Sequence, residues 1–248
     1  MMHKPEFIIP NWPAPANVKA LQTTRAGGIS TGKYGSLNLG DHVKDNPIHV
    51  AHNRQSLSPF LPTEPVWLQQ VHGIRVIDAS TSSCLEAADA SFATRKDVVC
   101  VTMTADCLPV LLCDEAGTVV AAIHAGWRSL CDGVIEAAVE VMPTKAMQGQ
   151  ANHLMAWLGP AIGPDAFEVG GEVREQFIAQ DEQAETAFRP HGDKWLGDLY
   201  TIARQRLQNL GVNQIYGGGL CTYSEPETFF SFRRDGDTGR MATLIWLE

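Results

Sequence analysis

Between Asp97 and Ile123 the chain makes three apolar, β-rich runs with little between them. The first is Asp97–Thr104, the second Leu108–Cys113 and the third Thr118–Ile123, with Gly117 turning the chain between the last two. Short apolar runs bounded by turn residues read as buried strands. The third gives out at His124-Ala-Gly126. Beyond it Leu130, Val134, Ala137, Ala138 and Val141 recur on one face of a helix predicted over Ser129–Met142. Strands that neighbour one another in sequence, with helices interspersed, favour an α+β fold of mixed β-sheets and flanking helices over a doubly wound α/β fold.

The remaining chain fits this pattern. Residues 1 to 17 form an extended, proline-punctuated lead-in, and Val18–Thr24 alternates like a strand that stops at Gly27-Gly28. Residues 25–46 are rich in Gly, Ser, Asn and Asp and predict a long loop, a kind of segment that often carries function. Pro47 fits the first turn of a helix running to about Leu57. Val66–Ile77 reads as a strand broken at His72-Gly73, and Ala79–Ser83 as a loop. Leu154–Leu158 is a short strand entering the rigid turn Gly159-Pro160-Ala-Ile-Gly163-Pro164. Helices are predicted at Gly171–Ala179 and Leu196–Leu210, the second stopped by Gly211. Gln214–Gly217 starts a strand, and Phe229–Arg233 with Arg240–Leu247 read as a closing hairpin around Asp235-Gly236. No repeat or low-complexity linker divides the 248 residues, so one domain over 1–248 is expected.

A net charge of −9 argues against a general nucleic-acid binder, which needs a basic face. It leaves room for a small anionic substrate, because a few arginines in a pocket suffice. There is no apolar signal-peptide core and no run long enough to span a bilayer, so a cytoplasmic monomer with no membrane partner is expected. None of the six cysteines forms a C-x-x-C pair, and a chain of this length needs no disulfide staples. Cys100, Cys113 and Cys131 read as buried apolar residues.

Three short motifs stand apart: Gln-Val-His72-Gly, Thr-Ala-Asp106-Cys107-Leu-Pro and His124-Ala-Gly-Trp-Arg128. Two imidazoles and a thiolate make a soft ligand set that suits a transition metal and leaves a fourth position open. Each histidine alone is equally what a satisfied structural histidine looks like, and spacing alone does not bring the three together. Arg25, beside Gly27-Gly28, and Arg128, at a helix start, read either as carboxylate partners on the surface or as bidentate phosphate ligands. His3, His49, His52, His153 and His191 read as surface or structural, whereas His42 follows the Ser36-Leu-Asn38-Leu-Gly40 motif in the long loop.

Through these motifs, together with Thr24-Arg25-Ala-Gly-Gly28, Gly159-Pro160-Ala-Ile-Gly163, Phe230-Ser-Phe-Arg233-Arg234 and Thr238-Gly-Arg240-Met, nearly the whole chain resembles the YfiH-like family. Its members are called laccase-domain proteins, polyphenol oxidases, purine nucleoside phosphorylases or peptidoglycan editing factors. The resemblance implies that His72, Cys107 and His124 bind a metal, usually zinc. Ser129 and Phe232 depart from the family's usual glycine and tyrosine.

The resemblance also implies phosphorolysis of adenosine, inosine or S-methyl-5′-thioadenosine, with adenosine deamination as an accompanying activity. Nucleoside and phosphate would then be the partners. Arg25, Ser36, Asn38, His42 and Arg128 are the expected substrate- or phosphate-binding residues. Cys107, His124 and Asp106 are the expected catalytic ones, with Asp106 as acid/base or as orienter of a ligand. A second reading is a cysteine or zinc amidohydrolase that edits peptidoglycan precursors, with Cys107 activated by His124. A third is polyphenol oxidation after copper loading. The eight histidines include no H-x-H pair, so the ligand clusters of a multicopper oxidase cannot be assembled. The H-x-E and P-C-x-x-C pattern of zinc cytidine-type deaminases is also missing.

Overall fold

A computed structural model describes residues 5–82, 84–142 and 151–248. His3 and Ser83, which the readings above include, lie outside the described residues. In chain order, β1 (Phe7–Ile8) and β2 (Val18–Thr23) precede the long loop, α1 (Pro47–Gln55) and β3 (Val76–Asp78). Then come β4 (Ala90–Ala93), β5 (Cys100–Thr104), β6 (Leu108–Asp114), β7 (Val120–Ala125), α2 (Trp127–Asp132) and α3 (Val134–Val141). The C-terminal part holds β8 (Leu154–Leu158), β9 (Glu168–Val169), α4 (Gly171–Gln180), β10 (Phe188–His191) and β11 (Lys194–Gly197). It ends with α5 (Leu199–Asn209), β12 (Gln214–Gly217), α6 (Phe232–Asp235) and β13 (Met241–Leu247). The architecture is α+β.

A six-stranded sheet runs in the order β12-β8-β6-β7-β4-β3, and a four-stranded sheet in the order β1-β2-β13-β5. A small third sheet has the order β10-β11-β9. The six-stranded sheet is mixed: β3–β4 and β8–β12 pair in parallel, and its other ladders are antiparallel.

The continuous apolar character of β6 and β7 follows from their position. Side chains alternate across a strand, so both faces of these two must be covered. Leu108, Val110, Leu112, Ala121 and Ile123 pack with Leu130, Ile135, Phe177 and Ile202 of the helices. Leu111, Cys113, Val120 and Ala122 pack with Cys100 and Ile245 of the four-stranded sheet. The result is a layer of helices, a central sheet and an outer sheet. The far face of the outer sheet is closed by Leu37, Leu39, Leu57 and Trp67.

Four predicted elements differ from the structure, each for a local reason. The helix over 129–142 is two helices, because Gly133 takes φ +98° and ends α2 as a left-handed cap. Of 66–77 only β3 is a strand, with single bridges at Val66 and Gln69. There the Gln70 amide takes the place of backbone pairing: its Nε2 donates to Met103 O (2.8 Å) and its Oε1 accepts from Met103 N (2.7 Å). Leu196 belongs to β11, and α5 begins only after Asp198, whose carboxylate accepts from Tyr200 N and Thr201 N. The closing hairpin does not form. Ser231 caps the short α6 instead, and β13 enters the outer sheet between β2 and β5. No helix among the described residues is long and apolar enough to cross a membrane.

Candidate metal centre

The three sequence motifs meet at one place. Cys107 follows the β5–β6 turn, where Asp106 is held at φ +93°. The Asp106 carboxylate fastens that turn, accepting from Thr222 Oγ1 (2.6 Å) and from Arg233 N (2.6 Å). His124 lies near the end of β7, opposite Pro109. His72 sits in a tight turn at φ +59°. The turn is wrapped around one buried carboxylate, Asp89, which accepts from the backbone N–H groups of Val71 (3.2 Å), His72 (2.9 Å) and Gly73 (2.7 Å).

Asp89 also lies 2.8 Å from Nδ1 of His124. The ring donates its Nδ1–H there, which turns Nε2 toward the site, where a metal would take its lone pair in place of a proton. The ligand atoms of His72, Cys107 and His124 all lie within 4.8 Å of one another, with Cys107 Sγ 3.8 Å from His72 Nε2. Ligands bonded to one zinc at about 2.0–2.3 Å stand roughly 3.5 Å apart. Side-chain adjustments of about an ångström therefore close the group on a metal ion.

Gly126 makes room for this group. A Cβ on it would fall 2.9 Å from His72 Cδ2 and 3.1 Å from Cys107 Sγ. Gly126 has φ −59°, which any residue can adopt, so backbone strain is not its reason. Gly126→Ala is expected to fold normally but to weaken metal binding by about ten-fold or more, comparable to disturbing the groups that orient a ligand. Metal titration against a chromogenic chelator measures this, and wild-type affinity in the variant would mean that the ligands tolerate displacement.

The electrostatics suit a metal-binding thiolate. Burial alone would push the Cys107 thiol up, but the His124 imidazolium and hydrogen bonds to both histidines bring it down, to about 6. His124 is raised in turn: burial opposes its charge, and the Cys107 thiolate and the Asp89 carboxylate outweigh burial. A metal ion would replace these protons, taking the thiolate and the neutral imidazole as ligands.

The group opens into a cavity of about 420 Å³. Asp106, Arg128 and His42 line it with the three ligands, as do Arg240, Thr104, Trp127, Phe167 and Phe232. Arg128 is exposed, stacks on Trp127 at 4.3 Å and makes no side-chain hydrogen bond among the described residues.

Three expected phosphate ligands are placed elsewhere. Arg25 is not in the cavity lining: its Nε donates to Gly35 O, its Nη1 to Pro226 O, and it packs over Phe230. It ties the long loop to the C-terminal segment. Ser36 Oγ accepts from Gly27 N and Gly28 N, so those amides close a loop and do not cradle an anion. Asn38 is fully buried and bonded to Asp45, Gly40 and Arg240 N. Asp106, with both oxygens committed, is better placed to position Cys107 than to move protons. Asp89 and Arg240 were not singled out from the sequence. Asp89 is flanked by alanines and carries no local signal. Arg240 stood in plain view in Thr238-Gly-Arg240-Met, without a role.

Fold and site together define a class: an α+β protein whose three-ligand group, able to hold a metal ion, opens onto a small-molecule cavity. Residues 19 to 248 match the family model described as multi-copper polyphenol oxidoreductase laccase. An Escherichia coli K12 protein named purine nucleoside phosphorylase YfiH is 55% identical over 245 residues, covering 98% of this chain and 99% of its own. A Neisseria meningitidis protein of known structure is 50% identical and superimposes with a TM-score of 0.90, over 98% of this chain and 99% of its own. YlmD from Geobacillus stearothermophilus is 28% identical with a TM-score of 0.89, over 98% and 96%. The chain belongs to this laccase-like YfiH family.

Proposed function

We propose that the protein is a zinc-dependent purine nucleoside phosphorylase acting on adenosine, inosine and S-methyl-5′-thioadenosine, with adenosine deamination as a second activity. One observation carries this reading: the His72–Cys107–His124 group opens onto a cavity with both cationic and aromatic walls. The names of high-identity relatives support it. Zinc, when bound, supplies a Lewis acid and lowers the pKa of a bound water.

The chain's own groups do the rest. Arginines in the cavity hold phosphate by bidentate hydrogen bonds. An anion held near the ribose C1′ stabilises the positive charge that develops there as the glycosidic bond breaks. The aromatic wall takes the flat purine face. A single domain over 1–248, working as a cytoplasmic monomer, completes the proposal.

The test uses protein whose metal content has been measured, assayed on a panel of nucleosides with and without phosphate. Phosphate-dependent release of base that falls on chelation and returns with zinc is the expected result. Turnover that is unaffected by chelation would exclude the zinc mechanism. Among the described residues His72–Cys107–His124 is one such ligand group, where a multicopper oxidase needs several. Phenol oxidation should therefore track copper loading while nucleoside cleavage does not.

A second reading draws on a specific contact. Cys107, His124 and Asp89 also stand in the order nucleophile, base and orienting carboxylate. That arrangement suits a cysteine amidohydrolase acting on peptidoglycan precursors. A metal-bound thiolate is a poor free nucleophile, so amide hydrolysis would rise on chelation, the opposite of phosphorolysis.

A further inference from the structure

The wall of the cavity next to the outer sheet differs from the wall next to the helices. On the helix side, Trp127, Phe167, Leu199 and Phe232 present apolar surface alongside Arg128 and Arg233, the latter turned to the carbonyls of Ala166 and Glu168. On the sheet side lie Arg240, Thr104 and His42. Met241 pairs with Thr104 across the outer sheet, which sets Arg240 beside the turn that carries Cys107.

Arg240 is held along one edge only. Its backbone N donates to Asn38 Oδ1 (2.9 Å), and its Nη1 donates to Thr238 O (2.9 Å) and Gly239 O (3.0 Å). Its stem crosses Gly40, where a Cβ would fall 2.8 Å from Arg240 Cγ. The Asn38–Gly40 part of the long loop thus fits this side chain. No hydrogen bond among the described residues uses Nε or Nη2, and no carboxylate of theirs forms an ion pair with the guanidinium.

Beside it Thr104 is 1% exposed, and its hydroxyl has no partner. Burial lowers the pKa of Arg240, the cost of holding a cation out of water with no opposing charge in contact. A half-buried guanidinium with a free N–H edge, next to an unpartnered hydroxyl, is short of one thing: a compact anion with several acceptor oxygens.

We infer that Arg240, with Thr104 and His42, forms the subsite for a tetrahedral oxyanion, and that inorganic phosphate occupies it as co-substrate. The 36–40 motif then acts by holding Arg240 and not by touching phosphate. Arg128, exposed at the rim, guides anions inward, and the nucleobase takes the apolar wall opposite. The inference deepens the phosphorylase reading and rests on it.

The test is calorimetric titration of inorganic phosphate into zinc-loaded protein, paired with steady-state kinetics in which phosphate is varied. Arg240→Ala should weaken phosphate binding and raise the phosphate KM by about ten- to a hundred-fold, the range for losing hydrogen bonds to a charged group. The nucleoside KM should change little. Arg240→Lys should recover part of the loss, because it restores charge without the fork. Thr104→Val, nearly the same in shape, should weaken phosphate binding less than Arg240→Ala.

If Arg240→Ala does not fold by circular dichroism, the lysine and valine variants decide the matter. Wild-type phosphate affinity in the folded Arg240 and Thr104 variants would overturn the subsite while leaving phosphorolysis in place. A wild-type protein that binds no phosphate and releases free ribose would overturn the phosphorylase reading, and the subsite with it.

Discussion

Cys107→Ala protein, purified without added metal, will carry no stoichiometric metal and will melt at the same temperature with and without zinc. The wild-type protein will be stabilised by zinc, as any ligand that binds only the folded state requires. The loss should be at least about 100-fold in metal affinity, since disturbing the groups behind a ligand already costs about 10–100-fold. Cys107 is the clean position for this test. It is partly buried at a turn, and the turn is fastened by Asp106 through Thr222 and Arg233, not by the thiol. Without metal the variant should lose only the pairing of the thiolate with His124, with the turn itself intact. His124→Ala removes a ligand too, but it also deprives the buried Asp89 carboxylate of a charge-assisted partner at 2.8 Å. That variant should lose about 1–3 kcal/mol in the metal-free state. Elemental analysis and thermal melts measure both effects. One equivalent of tightly held metal in Cys107→Ala would remove the thiolate from the ligand set, and with it the zinc mechanism for nucleoside cleavage.

What the sequence made legible follows a physical pattern. β6 and β7 could be read because both faces are buried, so that every position from Leu108 to Cys113 had to be apolar or small. The three ligands could be read because each sits at a turn with its own local chemistry. The break at Gly133 was hidden because the apolar period runs straight through it, from Leu130 to Val134 and Ala138.

Long-range pairing was not legible either. Asp235-Gly236 looks like a hairpin turn, yet the partner of Leu244 in one direction is Leu21, at the far end of the chain. Arg25 shows the same limit at the site. An arginine beside two glycines suggests an anion cradle until the fold brings Pro226 O to its guanidinium. Arg240 is the converse case. Its fitness to meet an anion depends on which of its N–H groups the neighbouring carbonyls leave free, and no pattern in the chain encodes that.

Asp89→Asn should show what the buried carboxylate does for the site. Asparagine keeps the volume, but only its carbonyl oxygen can accept, and its NH₂ must face donors. Asp89 meets four of them: the N–H groups of Val71, His72 and Gly73, and Nδ1–H of His124. The variant therefore leaves at least one buried donor unmatched, a loss of about 1–3 kcal/mol in stability. It also frees the His72 turn from its strained φ and frees the His124 ring from its fixed tautomer. Metal affinity should fall by about 10–100-fold.

The same residue predicts a pH dependence. Burial opposes the charge on Asp89, but hydrogen bonds from His124 and from the Gly73 and Val71 amides outweigh it, so its pKa lies below the ordinary 3.8. A carboxyl depressed in the folded state contributes stability that is fully present above its unfolded value and is lost as pH falls through the folded one. Part of the wild-type acid-unfolding limb below 3.8 should thus be missing in Asp89→Asn. Between that limb and about pH 6, where His124 is charged in both states, the variant should be less stable by a constant amount, and the gap should narrow as pH rises through the raised His124 pKa. Thermal melts of metal-free protein across acid pH, with metal titrations at neutral pH, measure both. Superimposable acid limbs and equal metal affinity would mean that Asp89 shapes a turn and has no part in presenting the ligands.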